Sequence, residues 1–156
     1  MSRNEHNCYE CSYTPNYHSF HLLSENDDEC YYYTCPAEAK TYNDPDGFIH
    51  HIEVELRKKR KPWVWIINGE AFGLTHIWCS KMHSKILQLA TDYAKLDLIN
   101  IIVIRQNITF KMLLNSSWYL IDKSLRKKIV IDKTNSFSEL LNIDTKLLQL
   151  HESLYY

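Results

Sequence analysis

Apolar positions along this chain switch repeatedly between a period of two and a period of three to four, the pattern of strands alternating with helices. The runs His18-Ser-Phe-His-Leu-Leu-Ser24 and Cys30-Tyr-Tyr-Tyr-Thr-Cys35 flank the turn-like Glu25-Asn-Asp-Asp-Glu29, which predicts a β-hairpin closed by Pro36. Asn43-Asp44-Pro45-Asp46 is a helix-start signal, followed by Phe48, Ile49, Ile52 and Leu56 at helical spacing. A helix is therefore predicted from Pro45 to Lys59, with Pro62 barring its continuation. In Trp63-Val-Trp-Ile-Ile67 both alternating sets are apolar, as in a central strand covered on its two faces. Helical spacing returns with Met82, Ile86, Leu89 and Tyr93 opposite Lys81, Lys85, Gln88 and Asp92, predicting a helix from Trp78 to Lys95. Ile99-Asn-Ile-Ile-Val-Ile104 reads as a second buried strand, and Ile108 to Leu125 as one helix with Phe110, Leu114, Trp118, Ile121 and Leu125 in its stripe. A short strand at Ile129-Val-Ile131 and a last helix from Phe137 to Leu150, capped by Ser136 or Asn135, complete the pattern.

The order β-β-α-β-α-β-α-β-α calls for right-handed crossovers. It predicts an α/β domain with a mainly parallel sheet of about five strands, flanked by helices and carrying an N-terminal β-hairpin. The domain is expected over 18–150, with an N-terminal arm at 1–17 that lacks an apolar period and a C-terminal tail at 151–156.

Composition changes the picture mainly by exclusion. With 18 Lys+Arg against 19 Asp+Glu, no basic excess drives counterion release, so nucleic acid is not an expected partner. Three glycines, Gly47, Gly69 and Gly73, cannot supply a dinucleotide fingerprint or a P-loop. No G-x-S-x-G elbow, H-E-x-x-H or spaced carboxylate pair appears, and His50 and His51 point apart on a helix; a non-enzymatic protein without cofactor is expected. The first residues lack an apolar signal core, and the longest apolar stretch, Leu98 to Ile104, is far shorter than the roughly 20 residues that span a bilayer. A reducing, cytoplasmic setting with at most peripheral membrane contact is expected, and the odd count of five cysteines argues against a complete disulfide framework.

Three segments together resemble the CRAL-TRIO lipid-binding family, and most of all its divergent BCH branch. Trp63-Val-Trp-Ile-Ile-Asn-Gly-Glu-Ala-Phe-Gly-Leu-Thr-His76 is similar to the central strand and its Gly-to-His turn. Ile101-Ile-Val-Ile-Arg-Gln-Asn107 is similar to the strand ending in the Asn-x-Pro or His-Pro signature, and Phe110 to Ile131 to the gate helix and the Lys-Ile strand. The likeness covers about 18–150. The chain departs from the family at Asn68, where Asp is usual, and at Asn107 and Tyr119, where Pro is usual.

The resemblance implies an apolar pocket between Trp65, Ile67, Ile101 and Val103 of the sheet and Phe110, Leu114 and Trp118 of a gate helix, holding a hydrophobic small molecule or phospholipid. The alternative it carries is a protein-interaction module that binds a small GTPase, its pocket filled by its own side chains. Ligands of parallel sheets sit outside the carboxyl ends of the strands, which here offer Asn68, Arg105, Gln106 and Asn107. Arg105 leaves an apolar strand and should meet an anion or an acid such as Glu70. Two basic clusters, Arg57, Lys58, Lys59, Arg60 and Lys61, then Lys123, Arg126, Lys127 and Lys128, read either as solvated helix ends or as a membrane-docking surface. Cys8-Tyr-Glu-Cys11 is half of a zinc signature, but Cys30 and Cys35 point to opposite faces of a strand, as do His18 and His21. Reduced, partly buried cysteines and no metal are expected.

Overall fold

The computed structural model describes residues 8–132. Within them the chain forms helix α1 (Tyr9–Tyr13), strands β1 (His21–Glu25) and β2 (Cys30–Thr34), helix α2 (Pro45–Lys59), strand β3 (Trp63–Asn68), and helices α3 (Leu74–Ile77) and α4 (Ser80–Ala94). Strand β4 (Leu98–Ile104), helices α5 (Ile108–Ser117) and α6 (Lys123–Arg126), and strand β5 (Ile129–Ile131) follow. The last helix expected from the sequence, Phe137 to Leu150, lies outside the described residues, as does the tail at 151–156.

The sheet is five-stranded in the order β1-β2-β3-β4-β5, with β1 antiparallel to β2 and every later pair parallel. The hairpin turn is tied by Asn26, whose Oδ1 accepts the backbone N–H groups of Asp28 and Glu29 at 2.9 and 2.8 Å. Because each parallel step moves to the next strand in one direction, crossovers of one hand place the helices on one face. The packing agrees. Phe48 and Ile52 of α2, Met82 and Leu89 of α4, Phe110 of α5 and Leu125 of α6 bury against Trp63, Trp65, Ile101 and Val103. On the opposite face Leu23, Tyr33, Val64, Ile66 and Ile104 form a second buried cluster, composed of strand and strand-flanking residues among those described. The two-sided character read from Trp63-Val-Trp-Ile-Ile67 is thus real, and β3 is the middle strand. Cys30 and Cys35 fall in different clusters, on opposite faces as expected.

Helix α2 spans the residues expected, capped by Asp44, whose side chain accepts from the Gly47 N–H. Two expectations are corrected. The stretch 108–125 is not one helix: α5 stops at Ser117, a 3-10 turn occupies Trp118–Leu120, and Ile121 is extended before Asp122 caps α6 through the Ser124 N–H at 3.1 Å. The weak helix formers Asn115, Ser116 and Ser117 precede the break, and the break turns both Ile121 and Leu125 into the core. The N-terminal segment is also not bare of structure before residue 18, since α1 forms and Cys8 is 3% exposed.

Gly69 lets α5 approach the sheet end. A Cβ there would stand 3.0 Å from the Gln106 backbone and 3.1 Å from the Phe110 ring, whereas one at Gly73 would meet nothing closer than 3.9 Å. Gly69→Ala is expected to cost about 1–3 kcal/mol in urea unfolding, as overpacking does, while Gly73→Ala stays near neutral; equal effects at the two positions would contradict this packing.

Candidate functional site

A cavity of about 430 Å³ lies between the sheet and the helix layer, within the ~300–1,000 Å³ range of small-molecule sites. Its floor is strand-borne: Trp65, Ile67, Ile101 and Val103 line it, and the register sets Trp65 beside Ile101 and Ile67 beside Val103. The floor stays apolar because the one polar group of Trp65, its indole N–H, donates to Thr34 Oγ1 at 2.8 Å. Ile67 keeps accessible surface although it belongs to the middle strand, since it looks into the cavity.

The walls come from α4 on one side and α5 with its 3-10 turn on the other. Asn107 fixes the start of α5: its Oδ1 accepts the Phe110 N–H at 2.9 Å and its Nδ2 donates to the Phe72 carbonyl at 2.8 Å. Helix α5 leans on α3 while α4 packs on α2 and α6, which leaves the seam between α4 and α5 to the cavity. Ser80, Ser84 and Leu120 line it and are exposed, so they mark its mouth. A second, polar groove adjoins that mouth, sharing Ser84, Leu87, Leu120 and Ile121 and continuing past Gln88, Thr91, Asp122, Lys123 and Arg126. The Arg126 Nε is buried there without a hydrogen-bond partner among the described residues.

Of the residues expected in the pocket, Trp65, Ile67, Ile101, Val103, Phe110 and Leu114 line the cavity and two do not. Trp118 is half-buried against the core but outside the lining. Arg105 stands at the end of β4 with φ of 48°, a left-handed conformation that turns its side chain away, and its Nη1 pairs with Glu70 Oε2 at 3.4 Å. Asn68 and Asn107 serve a turn and a cap rather than a ligand: Asn68 is fully buried, accepting the Glu70 N–H and donating to Tyr33 Oη, while the Gln106 Oε1 is buried without a hydrogen-bond partner among the described residues.

Both basic clusters lie at the same end of the sheet, because Lys61 and Lys128 each just precede a parallel strand. Much of their charge is already engaged. Lys59 and Lys61 pair with Glu25 at 2.7 and 3.3 Å, Lys58 pairs with Glu55, and Lys128 Nζ donates to the Ala94 and Leu98 carbonyls at 2.6 and 2.7 Å. Arg57, Arg60 and Lys127 are exposed, and Lys123 and Arg126 line a depression. No helix among the described residues is long and apolar enough to cross a membrane.

The sequence did not point to Tyr42, Ser80, His83 and Ser84, which give the cavity its polar side. The available signal was the spacing of Ser80, Ser84 and Leu87 beside the Met82 stripe, a second face of α4 that is neither charged nor fully apolar. His83 Nε2 is buried without a hydrogen-bond partner among the described residues, and burial, aided by nearby His76, holds its imidazole below the usual range. Neither a protein-family model nor a curated protein matches the sequence.

Burial also lowers His21 and His76. Groups neutral in the fold but readily protonated when unfolded contribute stability above about pH 6.5 that is lost on acidification. The thermal midpoint is expected to drop as pH falls from 7 toward 5, with a shallower slope in His83→Leu. An unchanged slope in that variant would remove His83 as a contributor.

Proposed function

We propose that the protein is a non-enzymatic carrier or sensor of an amphipathic lipid, its tail in the apolar cavity and its anionic headgroup in the adjoining groove beside Lys123 and Arg126. The observation that carries this reading is the continuity of the two spaces. A cavity walled by Trp65, Ile101, Val103 and Leu114 meets, across Ser84 and Leu120, a groove that holds two cations. Removing a tail from water into such walls is favourable by ~25 cal/mol per Å² of apolar surface, and the half-buried Arg126 would bind an anion more strongly than an exposed cation does. Asp122 opposes an anion at one edge, although its own carboxylate accepts from the Ser124 N–H and hydroxyl.

The resemblance to CRAL-TRIO domains favours the same ligand class, with Lys123 and Arg126, rather than Arg105, placed to meet the headgroup. The small-GTPase-binding alternative rested on a pocket filled from within, and the open cavity weighs against that version of it. Exposed Tyr119 and Leu120 beside the mouth suit brief contact with a bilayer during loading.

Native mass spectrometry and organic extraction of the purified chain should show one bound lipid. Leu114→Trp, which fills the cavity, should weaken displacement of a fluorescent fatty acid by about tenfold or more with little loss of thermal stability. Lys123→Glu with Arg126→Glu should weaken anionic lipids more than neutral ones. Lipid-free extracts together with unaltered probe binding in Leu114→Trp would sink the proposal.

A further inference from the structure

The N-terminal segment, the approach to β1 and α2 meet outside the cavity lining at four side chains whose ligand atoms all lie within 4.8 Å of one another: Cys8, Cys11, His18 and His51. Cys8 Sγ is 3.4 Å and Cys11 Sγ 3.8 Å from His18 Nδ1. Tetrahedral zinc, with Zn–S near 2.3 Å and Zn–N near 2.0–2.1 Å, sets neighbouring ligand atoms about 3.3–3.8 Å apart, so slight closure of this cluster completes a site.

The surroundings orient both imidazoles. His18 Nε2 lies 2.8 Å from Asp44 Oδ2, and His51 Nε2 lies 2.7 Å from the Phe20 carbonyl oxygen. Each Nε2 then carries the proton and donates it to oxygen, which leaves both Nδ1 lone pairs for the cluster. His51 is 6% exposed, and its Nδ1 is buried with no hydrogen-bond partner among the described residues. Such an atom is costly unless a ligand satisfies it. The His18 backbone N–H points at Cys11 Sγ at 3.4 Å, the arrangement that supports a thiolate. Asp44 reaches His18 because residue 47 is glycine: a Cβ there would fall 2.0 Å from Asp44 Oδ2.

We propose that Cys8, Cys11, His18 and His51 form a structural zinc site that fastens the N-terminal segment to β1 and α2. Zinc binding releases the two thiol protons, and two thiolates balance the dication, so the buried centre is neutral. Cys8 Sγ lies 3.3 Å from Glu10 Oε2, and this contact opens as the thiol deprotonates, with half-exposed Glu10 turning to solvent. Two thiolates with two imidazoles in tetrahedral array select zinc over harder, octahedral ions.

The full chain, purified under a phosphine reductant without chelator, should hold one zinc per molecule by elemental mass spectrometry. Its cobalt(II) form should show the visible bands of tetrahedral thiolate coordination. Cys8→Ser and His51→Gln should each abolish stoichiometric metal, while Cys79→Ser keeps it. Asp44→Asn, which preserves the α2 cap, should weaken zinc binding by about 10-fold. Chelation should lower the thermal midpoint of the wild type by ~5 °C or more. Background zinc with an octahedral cobalt spectrum in the wild type, a Cys8–Cys11 disulfide that persists under reductant, or metal content indifferent to Cys8 and His51 would overturn the assignment. Should a variant fail to fold, the cobalt spectrum of the wild type decides alone.

Discussion

The parallel strands advance across the sheet in one direction only, and that constraint governs the rest of the molecule. Crossovers of one hand then load the helices onto a single face, and this layer must cover side chains from every parallel strand. Helices α2 and α4 pack over Tyr32 of β2 and Trp63 of β3, and α4 reaches β4 as well. Among the described residues, the rest of the cover toward β4 and β5 comes from α5, which stops after ten residues, and from a 3-10 turn with a one-turn helix beyond it. The cavity lies where α4 and α5 part above the sheet, and it inherits apolar walls from the strands on which the fold is built.

Much of this was legible in the sequence because it is local. Asp44-Pro45 and Pro62 bound α2 from its own local sequence, and alternation in Trp63 to Ile67 reveals two buried faces. The break after Ser117 was hidden for a reason that generalises: Phe110, Leu114, Trp118, Ile121 and Leu125 keep helical spacing whether or not the backbone between them is helical. Only the requirement that Ile121 and Leu125 both reach the core decides it. Arg105 misled for another reason, since periodicity says nothing about a left-handed residue at a strand end.

The cysteine cluster marks the boundary of such reading most clearly. The chain shows Cys8 and Cys11 as a pair, but their partners lie seven and forty residues beyond Cys11, on a strand approach and on a helix. Pairing by sequence proximity suggested Cys30 and Cys35, which strand geometry excludes. His51 was set aside because its neighbour His50 points away, yet that divergence is what sends His51 inward, to 6% exposure, while His50 stays in solvent. Two sites with different chemistry thus share the helix-covered side of one sheet, one held between α4 and α5 and the other where α2 meets the segment before β1.

The hairpin carries one more consequence. Strand β1 is an outer strand, and its register with β2 slips between Leu22 and Ser24. A bulge bends a strand and breaks the even row of outward amide and carbonyl groups that another extended chain would use as a template. The tyrosine-rich segment Tyr31-Tyr-Tyr33 is shielded on that flank by an irregular neighbour. That local slip, set at the buried Leu23, makes the outer edge a poorer surface for self-association than a straight strand would be.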